Sequence, residues 1–404
     1  MLKIAIVVQG RFHGFDLARE LLARGHDVTL LTNYPGWAAE RFGVPAARTR
    51  SFVLHGVAAR LSGALARAVG LPQPEALLHQ WFGRWAEREL CRERWDLVHV
   101  WSGVAEESLQ SRRLHVDCRL LMRGSAHIDV QARLLGDEAR RAGAAIDQPS
   151  AWMIARERRE YELADHVLVL SSFSRASFEA VGMSASRISL LRLGVRVQDF
   201  RPTLDIVAAR QRRILAGEPL RVLYVGALSY QKGLWDMVHA IRALPDAGEF
   251  RFTFVGPILR EARPLIDQLG DRVRVVGKVA QAELPRYYAD ADLFLYPTIQ
   301  DGYAAVTAQA KASGLPILTT AHGAGLDIVT PDEDGWIVPL RDPAAIVARL
   351  KWCQAHRPDL AAMVGRIVDT FRARDWSDVA RDFESIAVRL CSSPPVVARR
   401  ASAG

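Results

Sequence analysis

DLFLYPTIQDGYAAVTAQAKASGLPILTT, residues 292–320, is the stretch of the sequence that decides the fold. Its apolar run 293–296 predicts a buried strand that ends at Pro297. A helix is expected to follow Asp301-Gly302-Tyr303 and to end near Ser313, and the next strand is expected to begin soon after Gly314. A strand, a helix and a second strand in this order indicate a parallel sheet, which binds ligands at the carboxyl ends of its strands.

The same alternation runs through the whole chain and predicts an α/β protein with two Rossmann-like domains. The first domain is expected at residues 1–202, an interdomain linker without a strand pattern at 203–219, and the second domain at 220–375. A last helix at 376–391 and a disordered tail at 392–404 follow. Strands are predicted at 4–8, 28–32, 51–54, 97–101, 119–122, 166–170 and 188–191, and then at 221–225, 251–255, 273–276, 293–296, 317–319 and 336–338.

Composition limits the kinds of partner. The chain has 404 residues, of which 50% are hydrophobic, so it is long enough for two or three domains with their own cores. The net charge is +8, and most of the excess lies in residues 1–203, which hold 28 Lys and Arg against 22 Asp and Glu. This modest basic excess fits an anionic membrane surface or an acidic substrate. The sequence contains no RNA- or DNA-binding motif, so nucleic acid is not expected as a partner.

The cysteines and the apolar runs indicate the cellular location of the protein. Cys91, Cys118, Cys353 and Cys391 have no metal-ligand spacing and are typical of reduced thiols in a cytoplasmic protein. The apolar start of the chain is too short for a signal peptide and fits a first strand. No apolar run approaches the roughly 20 residues of a membrane helix. A cytoplasmic location, with at most peripheral membrane contact, is therefore expected.

A lysine in the second domain is placed to bind phosphate. Val225-Gly226 ends a predicted strand, and Lys232-Gly233 opens a helix. The N–H groups and the dipole at a helix N-terminus attract phosphate, and a lysine adds a positive charge there. The alternative is an ordinary solvated lysine. Gly256 and Gly277 follow two further strands and would let the backbone approach a ligand, although such glycines are common in α/β proteins.

The segment 301–316 resembles the donor-sugar signature of family 4 glycosyltransferases, which have the GT-B fold with two Rossmann-like domains facing a central cleft. Their pattern is Glu, Gly, an aromatic residue, a small residue, a second Glu eight positions after the first, and then Gly-Leu-Pro. Here Asp301 holds the first acidic position and Gln309 the second. The resemblance implies that Asp301 lies against the transferred sugar as a catalytic residue and that Gln309 binds the ribose hydroxyls.

The resemblance also assigns roles to loops of the second domain. Lys232 matches the family's diphosphate lysine, and Ala227 stands where a partner arginine is usual. Asp375-Trp376-Ser377 matches the family's lead into a last helix that crosses back to the first domain. The remaining donor-binding positions, including the loop that receives the nucleotide base through its main chain, are implied to be Gly226, Gly277, Lys278, Val279, Gly302, Tyr303 and Ala304.

In the first domain, the resemblance implies a glycine loop after the first strand and a catalytic histidine after a later one. Gly10 matches the loop, in which Arg11 is placed to meet a phosphate. The sequence around Gly10 does not match the dinucleotide-binding pattern Gly-x-Gly-x-x-Gly, so a dinucleotide is not expected as a ligand. His127 is the candidate for the histidine that contacts the transferred sugar, and Arg123 is its rival for the cleft. Ser171 to Ser174 either touch substrate or cap a helix.

The region 57–93 mixes arginine with tryptophan and leucine. Such helices lie on anionic lipid, and family members that use lipid-linked acceptors often dock in this way. The alternative is an ordinary amphipathic helix packed on its own domain. The residues concerned are Arg60, Arg67, Trp81, Phe82, Arg84, Trp85 and Arg88.

The implied function is that of a hexosyltransferase-like enzyme (EC 2.4). It would move a sugar from a nucleotide diphosphate-sugar to a hydroxyl of a glycan or lipid-linked acceptor, with retention, in surface polysaccharide or glycolipid synthesis. Lys232 and helix N-termini would neutralise the leaving diphosphate, so neither a cofactor nor a metal is expected. Asp290-Ala291-Asp292 has the spacing of a metal motif but precedes its strand.

Two alternatives to the transferase follow from the same sequence. A nucleotide-sugar epimerase with the GT-B fold would need an acid–base pair of carboxylates in the cleft. A non-catalytic nucleotide-sugar binder, or a partner subunit of an active transferase, would fit the changes at Ala227 and Gln309.

Overall fold

Two parallel sheets form the framework of the computed structural model, which describes residues 1–69, 73–245 and 248–392. The predicted α/β class with two sheets is confirmed. The tail predicted at 392–404 lies outside the described residues from residue 393 onward.

The first sheet has seven strands in the order β3-β2-β1-β4-β5-β6-β7, and the second has six in the order β10-β9-β8-β11-β12-β13. The first is built from β1 (Lys3–Val8), β2 (Asp27–Thr32), β3 (Thr49–Ser51), β4 (Trp95–Trp101), β5 (Val116–Arg123), β6 (His166–Val169) and β7 (Ile188–Leu190). The second is built from β8 (Leu220–Val225), β9 (Phe250–Val255), β10 (Val273–Gly277), β11 (Leu293–Tyr296), β12 (Ile317–Thr320) and β13 (Gly335–Val338).

Helices cover both faces of each sheet, so the strands are buried and read as continuous apolar runs. Those of the first domain are α1 (Gly14–Ala23), α2 (Gly36–Glu40), α3 (Val53–Val69), α4 (Glu75–Leu90), α5 (Glu106–Gln110), α6 (Ile128–Ala142), α7 (Ala151–Leu163), α8 (Ser172–Glu179) and α9 (Val197–Phe200). They are followed by α10 (Leu204–Leu215), α11 (Leu234–Ala243), α12 (Arg263–Asp267), α13 (Leu284–Asp290), α14 (Ala305–Ala312), α15 (Gly325–Ile328), α16 (Pro343–Ala355), α17 (Arg357–Thr370) and α18 (Trp376–Cys391).

No helix in the described part of the chain combines the length and the apolar character that crossing a bilayer requires.

Strand order reverses once in each sheet, and these two places determine where ligands can bind. In the first sheet the chain runs outward from β1 to β3 and then returns to β4 on the other side of β1. In the second sheet the same happens between β8 and β11. A crevice forms outside the carboxyl ends of the strands at such a reversal.

The strand predicted at 51–54 is placed wrongly. The edge strand β3 is Thr49–Ser51, and α3 begins two residues later at Val53. The apolar residues that suggested a strand belong to a helix whose outer face carries Leu54, Val57, Leu61 and Leu65, each at least 46% exposed. Their spacing of three and four residues is helical.

The segment predicted as a linker, 203–219, is mostly the helix α10, so the second domain begins before residue 220. Thr203 caps the helix by accepting a hydrogen bond from the Ile206 N–H, and Val207, Arg210 and Ile214 form its buried face. The Arg210 guanidinium donates to the carbonyls of Ser313 and Tyr288 at 2.9 Å, which fixes α10 to the second domain.

The last helix, α18, packs on α1 of the first domain. Phe383 is fully buried with its ring 5.0 Å from that of His99, and Glu384 accepts from His26 at 3.1 Å. The helix begins with a capping box in which Asp375 and Asp378 each accept from the other's backbone N–H. The chain therefore ends its described part on the domain in which it began.

Candidate functional site

A cleft of about 920 Å³ lies between the two domains, where the two strand reversals face each other. Loops after β1, β4 and β5 form its first-domain wall, and loops after β8 and β11 together with the start of α14 form the other. Its lining from the first domain is Gln9, Gly10, Arg11, Phe12, His13, Asn33, His79, Trp101, Ser102, Val104, Arg123, Gly124, Ser125, Leu170 and Leu193. Its lining from the second domain is Gly226, Tyr296, Asp301, Tyr303, Ala304, Ala305 and Val306.

Two loops of the second domain are joined side by side beneath the cleft. The Ile299 N–H and the Thr298 hydroxyl both donate to the Gln231 carbonyl, at 3.0 and 3.1 Å. Gly233 has φ +79°, and a Cβ there would lie 2.0 Å from the Pro297 carbonyl oxygen, so only glycine fits. The loop before α11 and the loop after β11 are therefore held in one arrangement.

This arrangement brings Lys232 and Asp301 together although they are 69 residues apart. The Lys232 ammonium lies 2.6 Å from Asp301 Oδ2, and the Tyr296 hydroxyl donates to the same oxygen at 2.8 Å. Burial tends to raise the pKa of Asp301, but the charge and hydrogen bond of Lys232, helped by Tyr296, outweigh it and lower that pKa from 3.8. Asp301 is an ionised, partly buried carboxylate in the cleft at neutral pH.

The first turn of α14 also borders the cleft. Ala304 precedes the helix in a left-handed conformation, with φ 57°, which is uncommon for a residue other than glycine. Tyr303, Ala304 and Val306 lie in the cleft wall. The free N–H groups at this helix start point the positive end of the dipole toward the cleft.

At Gly302 the backbones of the two domains approach each other closely. A Cβ at this position would lie 1.9 Å from the Gly124 carbonyl oxygen. The Gly302 carbonyl accepts from the Ser174 hydroxyl at 3.3 Å, and Gln300 donates to Ser125. Gly302 thus forms a domain contact rather than a wall of the cleft.

The turn after β8 contains Gly226 and Ala227. Gly226 has φ +152°, and the Tyr224 hydroxyl fills the space below it while donating to the Ala227 carbonyl at 2.7 Å. Gly226 lines the cleft. Ala227 supplies no cation there, and Lys232 lies beside Asp301 but is not itself among the residues that line the cleft.

The residues predicted to receive the base and the ribose lie outside the cleft lining. Gly277 ends β10, two strands away from β8, Lys278 and Val279 follow it, and Lys278 is exposed. Gln309 is 8% exposed, and its Oε1 accepts from the buried Tyr288 hydroxyl at 3.0 Å. The side-chain carbonyl oxygen of Gln309 is thereby engaged within the protein. The predicted roles of Gly277, Lys278, Val279 and Gln309 stay predictions.

Gly10 lies in the cleft wall opposite Asp301. It has φ +96°, its N–H donates to Asn33 Oδ1 at 2.9 Å, and its carbonyl accepts from the Thr32 hydroxyl. Phe12 follows with φ 37° and a side chain that is 65% exposed. Arg11 places its guanidinium 4.1 Å from the Phe42 ring centre.

The structure brings Arg123, not His127, to the cleft lining. Arg123 is the last residue of β5, and its guanidinium donates to Glu157 at 2.9 Å and to the Ala126 carbonyl at 3.0 Å. The His127 ring packs between Tyr161 and Phe178, and its Nδ1 accepts from the Asp129 N–H at the start of α6. Burial lowers the pKa of His127 to about 4, so its ring is neutral at pH 7.

The serines after β6 fix helices and domains. The Ser171 hydroxyl accepts from the Ser174 N–H at 3.1 Å as a helix cap. The Ser172 N–H and hydroxyl donate to Asp327 of the second domain at 2.8 and 2.7 Å, and Arg192 donates to the same carboxylate. These contacts account for the serines without a substrate.

Several lining residues carry no functional prediction from their own local sequence, among them Asn33, His79, Trp101 and Tyr296. Trp101 and Tyr296 are the last residues of β4 and β11, the two strands that begin the return half of each sheet. Placing strand ends on the predicted strand order would have identified both.

A buried histidine behind the cleft makes stability depend on pH. His99 is fully buried beside Trp101. Burial lowers its pKa from 6.5 to about 3. The folded state therefore binds fewer protons than the unfolded state below pH 6.5, so the free energy of unfolding falls as pH falls from about 6.5 to about 3.

His99→Phe is expected to remove the contribution of His99 to that dependence while it keeps the aromatic packing. The variant should lose less stability on acidification, by up to about 1.4 kcal/mol per pH unit between pH 6 and 4. Urea denaturation at pH 7.5, 6 and 5 measures this. His115→Gln, at an exposed position, should keep the wild-type slope. A variant His99→Phe with that same slope would show that His99 is protonated in the folded protein.

Among residues 1–69, 73–245 and 248–392, no three His, Cys, Asp or Glu side chains lie close enough together to hold a metal ion. Asp292 of the Asp290-Ala291-Asp292 segment is buried and paired with Arg213 at 2.5 Å. The expectation that no metal is required stays a prediction.

Two family profiles match the chain, one on each side of the cleft. The profile described as "Glycosyltransferase Family 4" matches residues 12–199, and the one described as "Glycosyl transferases group 1" matches residues 219–356. The second of them covers the Lys232 loop and the segment 292–320, and the first begins just after Gly10 and Arg11.

Curated relatives are similar over part of their length. The amylovoran biosynthesis glycosyltransferase AmsK of Erwinia amylovora is 29% identical over 49% of this chain and 49% of its own. The GDP-mannose-dependent alpha-(1-6)-phosphatidylinositol monomannoside mannosyltransferase of Mycobacterium tuberculosis is 28% identical over 58% of this chain and 62% of its own. The chain matches about half of the length of such relatives.

Solved structures are similar over nearly the whole chain. Anabaena Alr3699/HepE, in complex with UDP and glucose, covers 97% of this chain with all of its own, at 14% identity and a TM-score of 0.66. The sucrose-phosphate synthase of Thermosynechococcus elongatus covers 96% with 99% of its own, at 21% identity and a TM-score of 0.72. At these identities the likeness concerns the fold.

Proposed function

The chain belongs to the group 1, family 4 glycosyltransferases with the GT-B fold, and from that premise we propose that it transfers a sugar from a nucleotide diphosphate-sugar to an acceptor hydroxyl with retention. The observation that carries this proposal is the ion pair of Lys232 and Asp301 at the strand reversal β8/β11, beside the start of α14. It combines a phosphate-binding cation with a carboxylate that can accept hydrogen bonds from sugar hydroxyls.

The reaction breaks the bond between the anomeric carbon and the diphosphate oxygen, and the electron pair leaves with the diphosphate. Lys232 and the N–H groups at the start of α14 neutralise the charge that develops there. The acceptor oxygen forms the new bond to the anomeric carbon, and its proton passes to the departing diphosphate. Asp301 holds the sugar, and no metal or other cofactor takes part.

The first-domain wall is the acceptor side. Its apolar surface is formed by Phe12, Trp101, Leu170 and Leu193. Among the described residues that line the cleft from either domain, Asp301 is the sole one with a carboxylate. We assign the contact with the sugar on this side to Arg123 rather than His127, because Arg123 reaches the cleft and Glu157 and Ala126 fix its guanidinium. Closure of the domains at Gly302 excludes water from the reaction.

A lipid-linked acceptor at the cytoplasmic face of a membrane is supported by α3 and α4. The apolar stripe of α3, defined as Leu54, Val57, Leu61 and Leu65, points to solvent. On α4, Leu77 and Trp81 are exposed in line with Arg84 and Arg88. The opposite face of α4 packs into the domain through Leu78, Phe82, Ala86 and Leu90, so its amphipathic character serves the fold as well.

These helices adjoin the acceptor wall of the cleft. His79 of α4 lines the cleft, and Asn33, which also lines it, contacts Gly56 of α3. Apolar residues insert into the lipid interface, and arginines beside them attract anionic headgroups. A membrane held against this face would present its lipid-linked glycan at the mouth of the cleft.

Leu61→Glu is expected to reduce binding to vesicles that contain anionic phosphatidylglycerol by about tenfold or more, because one buried leucine contributes about 1.5–3 kcal/mol. Vesicle sedimentation measures this. Leu215→Glu is the matched control, since Leu215 is 57% exposed on α10 of the second domain. An equal loss of vesicle binding in both variants, or no vesicle binding by the wild type, would contradict the proposed membrane contact.

The activity is tested with UDP-glucose, GDP-mannose, ADP-glucose and dTDP-glucose in the presence of lipid-linked glycans extracted from cells. The proposal expects one donor to be consumed, with release of its nucleoside diphosphate and a product of the donor's anomeric configuration by NMR. An inverted product would overturn retention, and neither binding nor consumption of any donor would overturn the transferase.

Binding without consumption would favour the second candidate, a non-catalytic nucleotide-sugar binder or partner subunit. Ala227 in place of a cation and the engagement of Gln309 with Tyr288 support this candidate. The epimerase has less support, because its acid–base pair would need two cleft carboxylates and the described lining holds Asp301 alone.

A further inference from the structure

Lys232 and Asp301 satisfy each other when the cleft contains no donor, and this contact has a consequence for ligand choice. The ammonium that would bind the diphosphate lies 2.6 Å from a carboxylate oxygen that also accepts from Tyr296 at 2.8 Å. The two charged side chains are 20% and 18% exposed, so solvent screens them little. A phosphate bound to Lys232 would therefore lie within a few ångströms of a second anion.

Asp301 cannot move far from that phosphate. Its side chain is one methylene shorter than glutamate, and its backbone is fixed because its N–H donates to the His322 carbonyl at 3.1 Å. The Tyr296 hydroxyl holds Oδ2 from the strand side, and the Tyr296 ring is stacked on Tyr224 with centres 5.6 Å apart. The carboxylate thus keeps its position when Lys232 turns to a ligand.

We propose that Asp301, positioned by Tyr296, makes the site prefer the sugar conjugate over the bare nucleoside diphosphate. This rests on the proposed function. A bare diphosphate takes Lys232 from Asp301 and leaves two anions facing each other, which costs affinity. A conjugated sugar places hydroxyl donors on Asp301 and offsets that repulsion. After transfer the sugar is gone, the repulsion returns, and the product nucleotide leaves.

Tyr296 is a positioning residue in this account. Its hydroxyl keeps one carboxylate oxygen engaged when Lys232 turns to the phosphate, so the other oxygen stays directed at the sugar. Tyr224 offers a matched control, because its hydroxyl donates to the Ala227 carbonyl and its ring stacks on the Tyr296 ring itself. Loss of the Tyr224 hydroxyl removes a tyrosine hydroxyl from the same stack without removing a contact to Asp301.

Calorimetric titration of the full chain tests this with UDP, GDP, ADP and dTDP and with UDP-glucose, GDP-mannose, ADP-glucose and dTDP-glucose. The readout is the ratio of the two dissociation constants within one pair. Asp301→Asn should bind the bare diphosphate about tenfold more tightly than the wild type and lose the preference for the conjugate. Tyr296→Phe should weaken binding of the conjugate alone, by about threefold to tenfold, and Tyr224→Phe should keep the wild-type ratio.

The outcomes separate the two proposals. Binding of no nucleotide by the wild type overturns the proposed function. Binding by the wild type, with Asp301→Asn binding the bare diphosphate equally or more weakly, overturns the inference and leaves the donor site in place. If Asp301→Asn does not fold, an unchanged ratio in Tyr296→Phe overturns the inference by itself.

Discussion

Replacing Lys232 by alanine is expected to lower kcat/KM for sugar transfer by about 10²- to 10³-fold, the range observed when one preorganised group that stabilises developing charge is removed. Ala227 supplies no second cation, and the ammonium of Lys232 lies 2.6 Å from the Asp301 carboxylate in the cleft. The variant should also lose the thermal stabilisation that a nucleoside diphosphate gives, which is about 2.7 kcal/mol for the wild type at a hundred times the dissociation constant. Initial rates and thermal unfolding measure the two effects.

Lys351→Ala is the control for this prediction. Lys351 is exposed on α16, and its replacement by alanine removes the same charge from the same domain. It should keep both the rate and the stabilisation. A Lys232→Ala variant that is stabilised by nucleotide as strongly as the wild type would mean that another group, such as Arg11 or Lys278, binds the diphosphate.

Gly302→Ala is expected to reduce transfer by about 10²-fold or more while each domain stays folded. The added methyl would lie 1.9 Å from the Gly124 carbonyl oxygen of the other domain, so the two walls of the cleft must separate. A displacement of about 1 Å between reacting groups is enough for a loss of this size. Steady-state rates measure the loss, and small-angle X-ray scattering measures the separation of the domains.

The opposite side of the same contact offers a control for the fold. A Cβ at Gly124 would meet no atom within 4 Å. Gly124→Ala should therefore keep the wild-type unfolding temperature and scattering profile. Wild-type activity in Gly302→Ala would show that the domains need not touch at this point during the reaction.

Much of the fold could be predicted because local signals bounded its strands. In the second domain β8, β11 and β12 lie within one residue of their predicted limits, since apolar runs end at Gly or Pro. Helix α10 has a weaker signal, because its buried face at Val207, Arg210 and Ile214 includes an arginine. A buried arginine that bonds carbonyls leaves no apolar signal.

Site residues could be predicted only where a single loop contains the motif that indicates ligand binding. The local sequence around Lys232 and around Asp301 predicts a ligand-binding role for each residue. The pairing of β8 with β11 brings the two residues together. Arg123 ends β5 and lines the cleft, whereas His127 is the N-cap residue of α6 and packs within the first domain, a difference that the local sequence does not specify. The contact of Gln309 with Tyr288 joins two helices and has no sequence signal.

The central claim, that the cleft between the two strand reversals binds the donor, is tested most directly by a crystal structure with the nucleotide diphosphate-sugar that stabilises the protein most. The account predicts a diphosphate oxygen within about 3 Å of Lys232 Nζ, as in a charge-assisted hydrogen bond, and the sugar between Asp301 and the first-domain wall. A donor bound elsewhere, or one whose diphosphate does not contact Lys232, would contradict it.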